Sequence, residues 1–211
     1  MMMKVRQLCQ KAILLMLLTS AHPLTYADDA TQVVLNMPSS ATDVDYAKLR
    51  NDYGQRDDFE KICIDKPHTQ EMVIAMNTQQ FDQLITLTND WVNQCPVDIQ
   101  GHLFRGTAFL RTGQKDKAIE QYKWVGGLMK SILASGDGKT SDTAFVTISV
   151  PEEYQVLSMM RLRLVKQELI MKPLRDKLDT LDQSGVEHII YFNPAAHFDR
   201  LAKQLNVKKP E

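Results

Sequence analysis

The chain has 211 residues, with 25 Lys+Arg against 26 Asp+Glu and a formal net charge of −1. That balance excludes a domain carried by a basic electrostatic surface, so nucleic acid is not an expected partner. The 44% apolar content excludes bulk disorder and collagen-like repeats, and a mean hydropathy of −0.28 with a single apolar run excludes a polytopic membrane protein.

Met1 to Ala27 reads as a secretory signal peptide. Lys4, Arg6 and Lys11 form the positive end, Ala12 to Leu18 the apolar core, and Thr25-Tyr26-Ala27 the small-residue cleavage site. The run is far short of the ~20 apolar residues that span a bilayer. Cys9 precedes the apolar run, where a lipoprotein would need a Cys after it. Cleavage would leave 184 residues with 22 basic and 26 acidic groups, a net of −4. The expected product has no membrane span and is periplasmic or secreted.

Export leaves Cys63 and Cys95, an even number in an oxidising compartment. A disulfide is the favoured reading; two inert buried thiols and a catalytic thiol are the alternatives. No Cys-x-x-Cys, His-x-His or His-Glu-x-x-His spacing occurs, so no metal site is expected.

Five helices are expected in chain order. Asp45 to Tyr53 carries Tyr46, Leu49 and Tyr53 on one stripe. His68 to Asn77 is the second. Phe81 to Asn93 is the third, with a broad apolar face, and Pro96 stops it. Ile99 to Arg111 and Lys117 to Leu133 complete the set. Links of about three to five residues make the neighbours antiparallel. From Ile99 onward the chain is similar to a tetratricopeptide repeat: Gly106, Phe109, Gly113, Ala118 and Tyr122 fall at its positions. One 34-residue period earlier, Leu84 takes the place of Ala118, and Pro96 closes that degenerate copy. His102 and Arg105 depart from the pattern, standing where Trp and Leu are usual. Two repeats need cover at the end of the stack, and the helix around Tyr46 and the C-terminal region are the candidates.

The pattern changes at Ser135-Gly136-Asp137-Gly138. Ala144 to Val150 alternates as a half-buried strand, with Val146, Ile148 and Val150 inward. Pro151, Glu152 and Glu153 then open a short helix to Met160. Strands at Leu164 to Met171, Leu174 to Leu181 and Val186 to Phe192 follow, the last two joined by the turn Asp182-Gln183-Ser184-Gly185. A helix from Ala195 to Leu205 closes the chain. The expected fold is α+β: an antiparallel helix-hairpin stack over 28–134, then a small antiparallel sheet with one or two helices over 135–211. Val146, Ile148, Val150, Ile190 and Phe192 are the expected sheet core.

The block Gly136-Asp137-Gly138 through Thr143, then Ile148-Ser149-Val150 and Glu152-Glu153-Tyr154, resembles the signature of a bacterial exported family, domain of unknown function 4919. Asp45 to Arg50 and Ile190 to Asn193 match its pattern as well. The resemblance covers nearly all of the chain after residue 27 and implies a tetratricopeptide-like front and an exported location. It implies no activity.

Several chemistries have candidate residues in the chain. Gly138-Lys139-Thr140 lacks the earlier Gly of a phosphate loop, and a helix precedes it, so it reads as a turn. Asp137 and Asp142 lack the spacing of a calcium loop and read as turn-fixing side chains. Glu152 and Glu153 are adjacent, do not share a helix face and read as helix-start acids. His188 and His197 have no nucleophile motif beside them. The eleven Met residues read as core filler, and no cofactor is expected. The leading function is a non-enzymatic module for a protein or peptide partner, an adaptor or an immunity-type inhibitor. Its expected wall is Gln100, Leu103, Phe104, Thr107, Leu110 and Arg111, open to a partner or filled by the chain's own termini. One alternative is a hydrolase-like enzyme in which Asp142, Glu153, His188 or His197 converge between stack and sheet. Another is a self-associating structural envelope protein. The oligomeric state is left open.

Overall fold

A computed structural model describes residues 44–64 and 68–205. The expected signal peptide lies outside the described residues. Helix α1 (Tyr46–Gly54) starts where Asp45 caps it, its carboxylate accepting from Lys48 N at 2.9 Å. A five-residue π-helical turn, Glu60–Ile64, follows. Four helices come next: α2 (His68–Asn77), α3 (Phe81–Gln94), α4 (Ile99–Arg111) and α5 (Lys115–Leu133). Each packs on the next, and α2 also touches α4. The short links force this up-and-down order.

Close approach within the stack depends on small residues. A Cβ at Gly106 of α4 would stand 2.6 Å from the Tyr122 ring of α5, so only glycine lets these helices cross as they do. Ala118 is buried beside them. On the other side of α4, Ala108 joins Met72, Ala75, Leu84, Trp91 and Val92 in a cluster shared by α2, α3 and α4.

Both candidate covers for the stack are in place. Helix α1 lies on α5, where Tyr46 meets Trp124 edge-on at 5.3 Å and Trp124 stacks on His102 at 5.0 Å. The C-terminal half packs on α4 and α5. It comprises β1 (Phe145–Val146), α6 (Val150–Met159), β2 (Arg163–Met171), β3 (Leu174–Leu181), β4 (Glu187–Asn193) and α7 (Ala195–Gln204). One core runs across the junction, from Phe59, Cys63 and Val125 to Phe145, Val156, Leu178 and Phe192.

The sheet order is β1-β4-β3-β2. The run β2-β3-β4 is antiparallel, as the sequence indicates, but β1 pairs parallel to β4, making the sheet mixed. The expected strand over Ala144 to Val150 shrinks to two residues. Ser149 is already the N-cap of α6, and Glu152 accepts from Ile148 N at 2.8 Å. These helix-start bonds draw the backbone away from the sheet before a longer ladder can form. Ile148, Ile190 and Phe192 are buried as expected. Val146 is 41% exposed and Val150 only half-buried, because neither stands on a pleated inward face.

Candidate functional site

The family block and the segments matching its pattern meet at the joint between stack and sheet. Arg50 of α1 reaches α6, where its Nε and Nη2 donate to the two oxygens of Glu152 at 2.9 and 2.8 Å. The same guanidinium donates to Val146 O and to Ser131 Oγ of α5. Arg200 of α7 is 2% exposed and lies 4.1 Å from the Phe59 ring centre. It donates to Gly54 O, to Ile148 O and to Glu60 Oε1. Two buried arginines thus bind the first helix, the π-helical turn and the last helix to the start of α6.

Beside them lies a buried acid pair. Glu153 is fully enclosed and Asp176 of β3 is 5% exposed. Burial first, and then the Asp176 charge, hold the Glu153 carboxyl well above the usual carboxylate range. No donor faces Glu153 Oε2. In its acid form Glu153 supplies its own proton and donates to Asp176, so the pair can share one proton. Gln167 of β2 also bonds to Asp176, and its Oε1 accepts from Tyr154 OH at 2.9 Å. Burial, with the neighbouring Glu153 and Asp176, pushes the Tyr154 hydroxyl up to about 12.

The raised Glu153 carboxyl makes stability depend on pH. In the unfolded chain this group ionises near ~4.3, so above that pH the native state binds the extra proton. Its stabilising effect is complete below that value and is lost as pH rises toward the folded pKa. Glu153→Gln keeps a donor to Asp176 without a titrating proton. In urea titrations from pH 5 to 8, the wild type is expected to lose stability relative to this variant, by up to ~1.4 kcal/mol per pH unit. Parallel curves would show that Glu153 is ionised in the folded protein.

The Gly136-Asp137-Gly138 loop is a closed turn. Asp137 N and Gly138 N both donate to Thr143 O. The Asp137 carboxylate accepts from Lys139 N and from the Thr143 hydroxyl. Gly138 has φ +66°, and a Cβ there would lie 2.3 Å from the Phe145 ring. Its carbonyl accepts from Tyr191 N, tying the loop to β4. These bonds are the turn-fixing role read from the sequence. Among the described residues, no three His, Cys, Asp or Glu side chains gather as a metal site requires.

The four residues of the hydrolase-like alternative do not converge on one point. Asp142 is exposed on the loop. His188 pairs with Asp182 at the β3–β4 turn, at 3.0 Å. It stands four residues along β4 from Phe192, the partner of Asp176, which is about 13 Å at ~3.3 Å per residue. His197 faces Glu60 at 3.4 Å and lies within electrostatic reach of Asp176. Only Glu153 belongs to the acid pair.

On α4, the expected partner wall is mixed. Leu110 is 44% exposed, and Arg111 is exposed with its guanidinium 5.9 Å from the Phe81 ring centre. Gln100, Leu103 and Phe104 are half-buried. Leu103 packs on the main core and Phe104 on the α2–α4 cluster. Thr107 is buried, its hydroxyl returned to Leu103 O. His102, on the α5 side, is buried, which holds its imidazole below the usual range. Its Nδ1 lies 2.9 Å from Gln121 Oε1 and its Nε2 3.0 Å from Pro96 O, and a neutral ring donates to one of these two acceptors.

The sequence reading missed Asp176, Arg50, Glu60 and Arg200. One signal was present for Asp176: it lies on the inward face of β3 with Leu178 and Thr180, where an acid is out of place. Arg50 and Arg200 stand on amphipathic helices where a charge looks ordinary.

No helix among the described residues is long and apolar enough to cross a membrane. No curated protein and no solved structure matches the chain significantly. A family described as Domain of unknown function (DUF4919) matches residues 35–201, taking in the arginine struts, the glycine loop and the acid pair; the chain belongs to that family.

Proposed function

We propose that the protein is an exported, non-enzymatic interaction module that offers the α4 end of its helical stack to a protein or peptide. An adaptor or an immunity-type inhibitor is the concrete form of this role. The observation that carries the reading is a division of labour among side chains. Most polar groups of the family block and its partners, including Arg50, Glu152, Asp137, Thr143 and Arg200, are bound to other parts of the same chain. Leu110 instead presents an apolar group at the surface, with the exposed Arg111 guanidinium lying over the Phe81 ring beside it, the kind of mixture that anchors protein partners. The Cys63–Cys95 disulfide is compatible with an oxidising compartment.

The hydrolase-like alternative draws support from Glu153 and Asp176, since one proton shared by two carboxyls is a pattern used in acid–base catalysis. Both groups are shut away from solvent, which favours a structural role for the pair. The experiment is capture of exported proteins with the purified chain, compared with Leu110→Asp/Arg111→Glu. A partner retained by the wild type and lost by the double variant supports the reading. A partner retained equally by both overturns the placement on α4.

A further inference from the structure

A cleft of about 350 Å³ opens between α3, α4 and the start of α5. Ile85, Thr86, Asn89 and Asp90 line one side; Arg105, Phe109, Gln114 and Lys117 line the other. Arg105 and Phe109 lie about half a turn round α4 from the Leu103–Leu110 face, so this cleft is separate from the surface proposed above. Its volume falls within the ~300–1,000 Å³ typical of small-ligand sites.

The cations of this cleft are what call for a ligand. Arg105 stands at a position where a helix hairpin of this kind usually carries Leu. Its Nη2 donates to the neutral Asn89 Oδ1 at 2.8 Å, and its Nε is buried with no acceptor. Burial lowers its pKa, yet a guanidinium keeps its charge. Lys117 donates to the neutral Gln114 Oε1 at 2.8 Å. The Arg105 Cζ and the Lys117 Nζ each lie 5.4 Å from the centre of the same Phe109 ring, within cation–π range. Each cation is therefore partnered by an amide and an aromatic face rather than by a carboxylate. The acids in reach are Asp90, in the opposite wall, and Glu120, which acts on Arg105 through its charge.

We propose that this cleft binds a small organic carboxylate, its carboxylate held between Arg105 and Lys117 and its apolar part against Ile85 and the edge of Phe109. A planar guanidinium suits a carboxylate geometrically, and the partly desolvated setting strengthens the charge-assisted bond. A dianion is disfavoured by Asp90.

The test is titration of the purified protein with benzoate, and with benzamide as its neutral counterpart of the same shape, followed by amide chemical shifts and calorimetry. Benzoate is expected to bind saturably, with shifts at residues 85–90 and 105–117, and benzamide at least about tenfold more weakly. Arg105→Gln and Lys117→Gln are each expected to weaken benzoate about tenfold or more, and Asp90→Asn to strengthen it. Lys117 is exposed, so its variant keeps the test valid should Arg105→Gln fail to fold. Absence of saturable benzoate binding overturns the proposal. So does benzamide binding as tightly as benzoate, or benzoate binding that Lys117→Gln leaves unchanged.

Discussion

Arg50→Ala is expected to destabilise the protein by about 3–5 kcal/mol, the cost of leaving a buried carboxylate without its counter-charge. Arg50 and Glu152 expose only 5% and 6% of their side chains. Their two parallel bonds form the bidentate geometry in which arginine is strongest. Removing the guanidinium also takes donors from Val146 O and Ser131 Oγ, loosening α1, α5, β1 and α6 together. Glu152 is held in place by Ile148 N and cannot turn to solvent without opening the start of α6. The total is a large part of the ~5–15 kcal/mol typical of a domain. Arg50→Met with Glu152→Gln removes both charges and keeps an acceptor for Ile148 N, so it is expected to cost much less than Arg50→Ala alone. Urea unfolding at constant slope measures both. A loss below ~1 kcal/mol for Arg50→Ala would mean that the pair is solvated.

The second large effect belongs to the disulfide. Cys63 lies in the π-helical turn and Cys95 caps the C-terminus of α3, so the hairpin of α2 and α3 brings them to one end. The structure joins them, with Cα atoms 5.4 Å apart across a sequence separation of 32. Both are buried in the main core. Chain entropy over that loop gives about 3–4 kcal/mol. Cys63→Ser/Cys95→Ser is expected to lose ~2–4 kcal/mol, and dithiothreitol is expected to shift the wild type to the same midpoint. The bridge clamps the segment that carries Glu60 and Phe59, the partners of Arg200. If the native protein reacts with two equivalents of a thiol reagent before reduction, the bond is absent in solution.

Local pattern explains why much of the fold was legible. His68 to Asn77, Ile99 to Arg111 and Leu174 to Leu181 have the bounds read from their periodicity, because caps, Pro96 and the turn residues act within a few positions. The strand at Ala144 to Val150 was overread because alternation there competes with the start of α6, and the helix-start bonds win. Its parallel partner β4 lies more than 40 residues away, and local alternation carries no information about such a partner. The joint was harder still. Arg50 and Glu152 are 102 positions apart, and Arg200 and Glu60 140. Each reads locally as a surface charge on a helix, and only the approach of α1 and α7 to the start of α6 turns them inward. Glu153 had a local explanation as a helix-start acid, which hid its partner Asp176.

The division between bound interior and presenting surface is tested most directly by measuring partner capture with three baits: wild type, Leu110→Asp/Arg111→Glu and Glu153→Gln, each first shown to be folded. Capture by the wild type and by Glu153→Gln, with loss in the α4 double variant, is the expected result. Capture that survives the α4 changes and disappears with Glu153→Gln would contradict it and move the function to the acid pair.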